Sequence, residues 1–166
     1  MRVVVQRVRH AGVRVNGEDV AAIGPGLLLY VAFRREDRES DLGWMAEKIA
    51  SLRIFEDEAG KMNRSIAQVG GQVLAVSQFT LYGDARKGRR PSFDAAAPAD
   101  EARALFEEFV GKIRACGLII EIGRFQETMQ VESINDGPVT ILLDSPAVRM
   151  PSESSELGHG SVCPRG

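Results

Sequence analysis

Seven apolar residues in a row, Leu27 to Phe33, constrain this chain more than any other segment. The turn residues Gly24-Pro25-Gly26 come just before them. An uninterrupted run of this length, bounded by glycine and proline, reads as a strand buried on both faces. It is far too short to span a bilayer. The rest of the chain must therefore cover this strand from both sides.

Further strand signals surround it. Val3 to Val8 is short and β-branched. Gly12 to Val20 holds two short runs about Asn16-Gly17, a strong hairpin dipeptide. Leu52 to Phe55 predicts a short strand, and Glu56 to Asn63 is polar and turn-rich. Gly70-Gly71 precedes a strand at Val73 to Ser77. Later come Leu118 to Ile122, Met129 to Ile134 and Val139 to Leu143, with a turn at Asn135-Asp136-Gly137-Pro138 between the last two.

Two segments carry helical spacing instead. Leu42, Met45, Ala46, Ile49 and Leu52 form one apolar face behind Ser40 as N-cap. Ala102, Leu105, Phe106, Phe109, Val110 and Ile113 form another, which Gly117 is placed to end. The reading is a mixed α/β domain in which sheet dominates and two long helices pack. With 166 residues, one domain accounts for residues 1–144. Residues 145–166 are rich in Ser, Pro and Gly and read as a weakly packed or disordered tail.

Charge narrows the partners. Twenty-one basic and twenty-three acidic residues leave a net charge of −2, so any contact with a polyanion must come from a local patch. Arg86-Lys87-Gly88-Arg89-Arg90 is one, with four cations in five residues. It suits a phosphate backbone, and equally a solvated surface loop. The opening MRVVVQRV has no signal-peptide core, so the expected compartment is the cytoplasm, with no membrane partner.

The chemistry is bounded by what is missing. Cys116 and Cys163 make no disulfide framework, and Cys116 sits on the apolar stripe of the second helix. Only His10 and His159 are available for a triad, neither near a GxSxG elbow. No Walker A or GxGxxG motif is present. The expectation is an enzyme that needs neither metal nor cofactor.

Two segments remain. Ser77-Gln78-Phe79-Thr80-Leu81 sets hydroxyls and an amide where a buried strand opens into a loop. Backbone N–H groups freed from ladder pairing there can stabilise an oxyanion. An ordinary strand end with local side-chain bonds explains it as well. In Asn135-Asp136-Gly137-Pro138-Val139-Thr140, the Gly-Pro bond is the one place where a cis peptide is affordable. A cis unit would turn two carbonyls the same way and make a rigid ledge. A plain hairpin turn is the alternative.

Together these two segments resemble the signature motifs of the D-aminoacyl-tRNA deacylase family. Met1 to Val8, Leu52 to Asp57 and Lys87 to Phe93 are similar to the family as well, and the resemblance runs from residue 1 to about Asp144. It implies a barrel-like, layered β/β/α fold and a homodimer acting on the aminoacylated 3′ end of tRNA. It further implies that Gly137 and Pro138, in cis and braced by Arg7, enter the partner's pocket and face Ser77, Gln78, Phe79 and Thr80. A D-residue would aim its side chain away from this ledge, and an L-residue would collide with it. Glycine, lacking a side chain, should also pass. Arg86, Lys87, Arg89 and Arg90 would meet the tRNA.

Thr80 is either a nucleophile or a binding residue. Nothing near it in sequence offers a base, which favours binding, with the substrate's 2′-hydroxyl assisting water. Phe125 and Met129 match a family segment that would line the adenosine pocket. Between them, where the family usually has a Gly-Ala pair after the phenylalanine, this chain carries Gln126-Glu127-Thr128. Three rivals stand beside the resemblance: a small-ester hydrolase using Thr80 or Ser77, a non-catalytic RNA-binding module, and an editing relative with altered substrate choice.

Overall fold

The computed structural model describes residues 1–146. Its strands are β1 (Arg2–Val15), β2 (Glu18–Ile23), β3 (Gly26–Ala32), β4 (Phe55–Glu56), β5 (Met62–Arg64), β6 (Gln72–Ser77), β7 (Ile120–Ile122) and β8 (Gln130–Asp144). The helices are α1 (Glu39–Ser51) and α2 (Ala99–Ala115).

The Leu27 run is β3, and it is buried on both faces as its composition requires. Leu27, Leu29 and Val31 pack into the cluster that both helices cover. Leu28 points into a second cluster with Ala11, Val13, Ile23, Leu74 and Val76. The main sheet runs in the order β2-β1-β3-β6-β7, with β8 on the other flank of β1. β2 curls back against β6 and β7, so the sheet nearly closes on itself. Helices cover one face and the curled sheet covers the other, giving a barrel-like β/β/α arrangement.

The connections follow from the pairing. β3 and β6 are parallel, as are β6 and β7, so each pair needs a long crossover. The first crossover contains α1 and the second contains α2. α2 buries Ala102, Phe106, Phe109, Val110 and Ile113. At about 1.5–3 kcal/mol for each large side chain, this outweighs the ~1 kcal/mol that Gly111 costs mid-helix. Gly117 ends α2 at φ +80°. Gly26 is required where β3 meets β6, because a Cβ there would lie 1.9 Å from the Gln72 carbonyl oxygen.

Several local expectations are corrected. Val3–Val8 and the first run of Gly12–Val20 belong to one 14-residue strand, β1, which ends in the Asn16-Gly17 hairpin. The Leu52–Phe55 strand shifts to β4, and the polar stretch after it contains β5. The Asp57 carboxylate closes that hairpin by accepting from the N–H groups of Ala59 and Lys61. Ser40 is not the cap of α1. Arg38 holds that position, and its N–H donates to the Asp41 carboxylate at 3.0 Å. The largest change concerns Asn135 to Pro138, which does not reverse the chain. The two expected strands, Met129–Ile134 without its first residue and Val139–Leu143, fall in one continuous strand, β8, lying antiparallel to β1 along its length.

The expected tail falls almost wholly outside the described residues, as do His159 and Cys163. Ser145, at its start, is buried; its N–H donates to the Met1 carbonyl at 2.8 Å. No helix among the described residues is long and apolar enough to cross a membrane.

Candidate active site

β6 delivers the first motif. Gln78 N–H donates to the Val31 carbonyl at 2.7 Å, the last bond before the chain leaves the sheet. Phe79–Tyr82 then forms one 3-10 turn. Arg2 pins this turn by donating to the Leu81 carbonyl at 3.1 Å while pairing with Asp144. Among the described residues, no acceptor engages the N–H groups of Phe79 and Thr80. They are the unmet donors that begin any helical turn.

A cleft of about 620 Å³ opens beside this turn. Ser77, Gln78 and Phe79 line it together with Phe125, Gln126, Glu127, Thr128 and Met129. The structure thus brings the Ser77 to Phe79 and Phe125 to Met129 segments, far apart in the chain, into one cleft. It adds Ala97, just before α2, and Ala99 and Ala102 from its first turn, which sequence reasoning missed as site residues. Their small size is what leaves room, and a run of alanines gives no chemical signal. Thr80 does not line the cleft; it is exposed, and its hydroxyl accepts from the Gln78 side-chain amide.

Gln126 adopts φ +63°, in the left-handed region that favours glycine. The altered Phe125–Met129 segment therefore keeps a turn that a small residue would enter more easily. Arg103 on α2 donates to Gln126 Oε1 at 2.8 Å and sits over the Phe125 ring, 4.6 Å from its centroid.

The second motif is a bulge in β8. β1 advances two residues, Gln6 to Val8, while β8 advances five, Thr140 to Asn135. Each residue of the bulge has a task. The Asn135 amide accepts from Val139 N–H at 3.0 Å and donates to the Thr140 hydroxyl at 2.9 Å, clamping the base. Buried Arg7 donates to the Asp136 carbonyl at 3.1 Å and to the Ile54 carbonyl at 2.7 Å. Arg9 bonds the Asp136 carboxylate at 2.8 Å. That bond, with the charges of Arg9 and Arg7, holds the carboxyl below its usual range against the opposing effect of burial. Gly137 sits at φ +124°, and a Cβ there would lie 2.8 Å from Val139 Cγ2. The Gly137-Pro138 peptide is cis, and both residues are exposed.

Within one chain the two motifs do not meet. Neither Gly137 nor Pro138 lines the cleft, which β8 reaches only at its start, at Val131.

The basic loop follows the 3-10 turn directly. Asp84 and Ser92 bridge its neck with bonds of 2.8 and 2.9 Å. Phe93 packs edge-on against Phe79 at 5.0 Å, tying the loop to the cleft. Arg86 is held by Asp84, whose carboxyl it pushes down to about 2. Lys87, Arg89 and Arg90 are exposed and form no ion pair among the described residues. No group of three or more His, Cys, Asp or Glu among the described residues is arranged to hold a metal ion.

The profile of the D-Tyr-tRNA(Tyr) deacylase family matches residues 4–144. The chain belongs to this family. It is accordingly an enzyme of the deacylase class, a hydrolase.

A D-aminoacyl-tRNA deacylase of Symbiobacterium thermophilum is 59% identical over 145 residues, covering 87% of this chain and 96% of that sequence. One of Thermotoga petrophila is 56% identical, covering 87% and 97%. Among solved structures, a c-Myc DNA unwinding element binding protein superposes with a TM-score of 0.83 at 42% identity, over 89% of this chain and all of that one. A probable eukaryotic D-amino acid tRNA deacylase gives 0.74 at 21% identity, over 86% of this chain and 97% of that one, and shares the fold.

Proposed function

We propose that two copies of this deacylase-family chain hydrolyse the ester of D-aminoacyl-tRNA, each completing the other's site. Residues 1–144 form the working unit, and the substrate is the 3′ end of the tRNA in the cytoplasm. One observation carries the dimeric reading. The Arg7-braced Gly137-Pro138 unit stands exposed on β8, outside the lining of the cleft its own chain forms, which β8 reaches only at Val131. β8 pairs only with β1, so its outer edge keeps unpaired backbone groups. Ile134 and Leu142 on it are 58% and 57% exposed. An edge of this kind is suited to cover by a second copy.

In this reading Gly137 and Pro138 enter the partner's cleft beside Ser77 to Thr80. They leave a D-side chain free and exclude an L-side chain by contact. Glycyl-tRNA, with no side chain to exclude, is a substrate. The ester carbonyl oxygen sits against the N–H groups of Phe79 and Thr80, which stabilise the oxyanion as water adds. The terminal 2′-hydroxyl of the substrate assists the water. The acyl C–O bond then breaks, the tRNA 3′-oxygen takes up a proton, and the free D-amino acid leaves. Lys87, Arg89 and Arg90 meet phosphates of the acceptor end.

The test measures amino acid release from D-tyrosyl-, L-tyrosyl- and glycyl-tRNA with a chelator present, alongside the mass in solution. Fast loss of the D- and glycyl-esters by a dimer is expected. Equal loss of the L-ester, or a fully active monomer, would overturn the filter. Binding of tRNA with no release would leave an RNA-binding module.

A further inference from the structure

We propose that Arg103 is a stacking platform for the terminal base of the tRNA, a substrate-binding residue that neither motif contains. This rests on the deacylase reading of the cleft and adds to it. Arg103 lies on α2 one turn after Ala99 and next to Ala102, both of which line the cleft. Its guanidinium is fixed from two directions. The Phe125 ring lies beneath it at 4.6 Å, and Gln126 Oε1 accepts its Nη2–H at 2.8 Å. Gln126 holds its place at φ +63°, a conformation that non-glycine residues rarely adopt unless their surroundings impose it.

The charge of this group is unspent. Arg7, Arg9 and Arg86 each meet a carboxylate. Among the described residues, no carboxylate lies within ion-pair distance of Arg103. A solvent-exposed cation fixed at the rim of a cleft, with nothing to neutralise it, is poised for a ligand. Its orientation favours a base over a phosphate. Phosphate recognition uses the edge of the guanidinium as a two-pronged fork, and one Nη is already committed to Gln126. Arg103 nevertheless stays exposed, so Phe125 and Gln126 do not close its guanidinium off from a ligand. Planar cations and nucleobases stack through their faces.

The experiment compares wild type with Arg103→Ala, Arg103→Lys and Gln126→Ala on D-tyrosyl-tRNA. In parallel, adenosine and ribose 5-phosphate are titrated by calorimetry. Arg103→Ala should raise KM about tenfold, the scale of one lost base stack, with kcat within about twofold. Lysine should not rescue, and Gln126→Ala should show a smaller rise. Adenosine should bind wild type and lose affinity in Arg103→Ala, while ribose 5-phosphate should not discriminate. Thermal melts report whether each variant is folded. Rescue by lysine, or an unchanged KM in Arg103→Ala, would overturn the proposal. If wild type hydrolyses no D-aminoacyl-tRNA, the deacylase reading fails. Arg103-dependent adenosine binding would still support the platform, and its absence would sink that too.

Discussion

The side-chain amide of Gln78 donates to the hydroxyl of Thr80. The partner of that hydroxyl is thus a carboxamide, which cannot accept a proton at neutral pH. Among the described residues no histidine or carboxylate bonds Thr80. A nucleophilic hydroxyl without a base is a poor reagent, whereas a base-activated one contributes about 10²–10⁴-fold. Thr80→Ala should therefore keep kcat within about tenfold of wild type, because the backbone N–H groups of residues 79 and 80 remain. Single-turnover rates on D-tyrosyl-tRNA decide the matter. A loss beyond 10³-fold would return Thr80 to the nucleophile role.

Arg7 is the brace of the bulge. Its buried guanidinium serves the Asp136 and Ile54 carbonyls, so one side chain fixes both β8 and the loop before β4. Hydrogen bonds from charged donors are each worth about 1.5–3 kcal/mol. Arg7→Met should lower unfolding stability by about 2–4 kcal/mol, since the methionine fills the space but leaves both carbonyls unserved. It should also narrow the ratio of D- to L-ester hydrolysis. Denaturant melts and paired rate measurements test the two claims separately. A stable variant with full discrimination would remove Arg7 from the filter.

Some of this was legible in the sequence and some was not, and the difference lies in range. The Leu27 run, both helices and the Asn16-Gly17 hairpin are set by neighbours in the chain, and each forms as its pattern predicts. Asn135 to Pro138 carries the same local turn signals as a hairpin. Whether it reverses the chain or bulges within it depends on β1, more than a hundred residues away. A sequence window holds no record of that partner. The Ser40 cap failed for a smaller reason, because Asp41 offers Arg38 a carboxylate acceptor one turn earlier. Ser77, Gln78, Phe79, Phe125 and Met129 were assigned to one site only through the family resemblance, because nothing local to either segment records the other as its neighbour across the cleft. Arg103 had no signal beyond sharing a helix face with Ala99.

Gly137 is the position where the bulge is least tolerant. Its φ of +124° disfavours any side chain, and a Cβ would crowd Val139 Cγ2 at 2.8 Å and Arg7 Nη2 at 3.0 Å. Gly137→Ala should cost about 1–3 kcal/mol of stability, the usual penalty for a side chain in such a conformation. It should also displace Arg7 and impair rejection of the L-ester more than hydrolysis of the D-ester. Gly60→Ala is a useful control, since its φ is +73° but nothing lies within 4 Å of the added Cβ. A Gly137→Ala protein no less stable than Gly60→Ala would show that crowding against Arg7 and Val139 is unimportant.

Asp136 makes a pH signature for the same bulge. Its carboxyl is held below the usual range, first by the bond from Arg9 and then by the charges of Arg9 and Arg7. A carboxyl depressed in the folded state stabilises it above the unfolded pKa of about 3.9, and the gain disappears as pH falls through the folded value. Asp136→Asn keeps the backbone carbonyl for Arg7 and removes the charge. Its melting temperature should therefore trail wild type by a constant gap from pH 7 to about 5, which closes as pH drops below about 4. Arg9 is 74% exposed, and solvent screens such a pair, so its share of the gap should be small. A large gap would assign the excess to buried Arg7, which loses its nearest counter-charge. A gap that persists unchanged at pH 3 would mean that the Asp136 charge is not what stabilises the bulge.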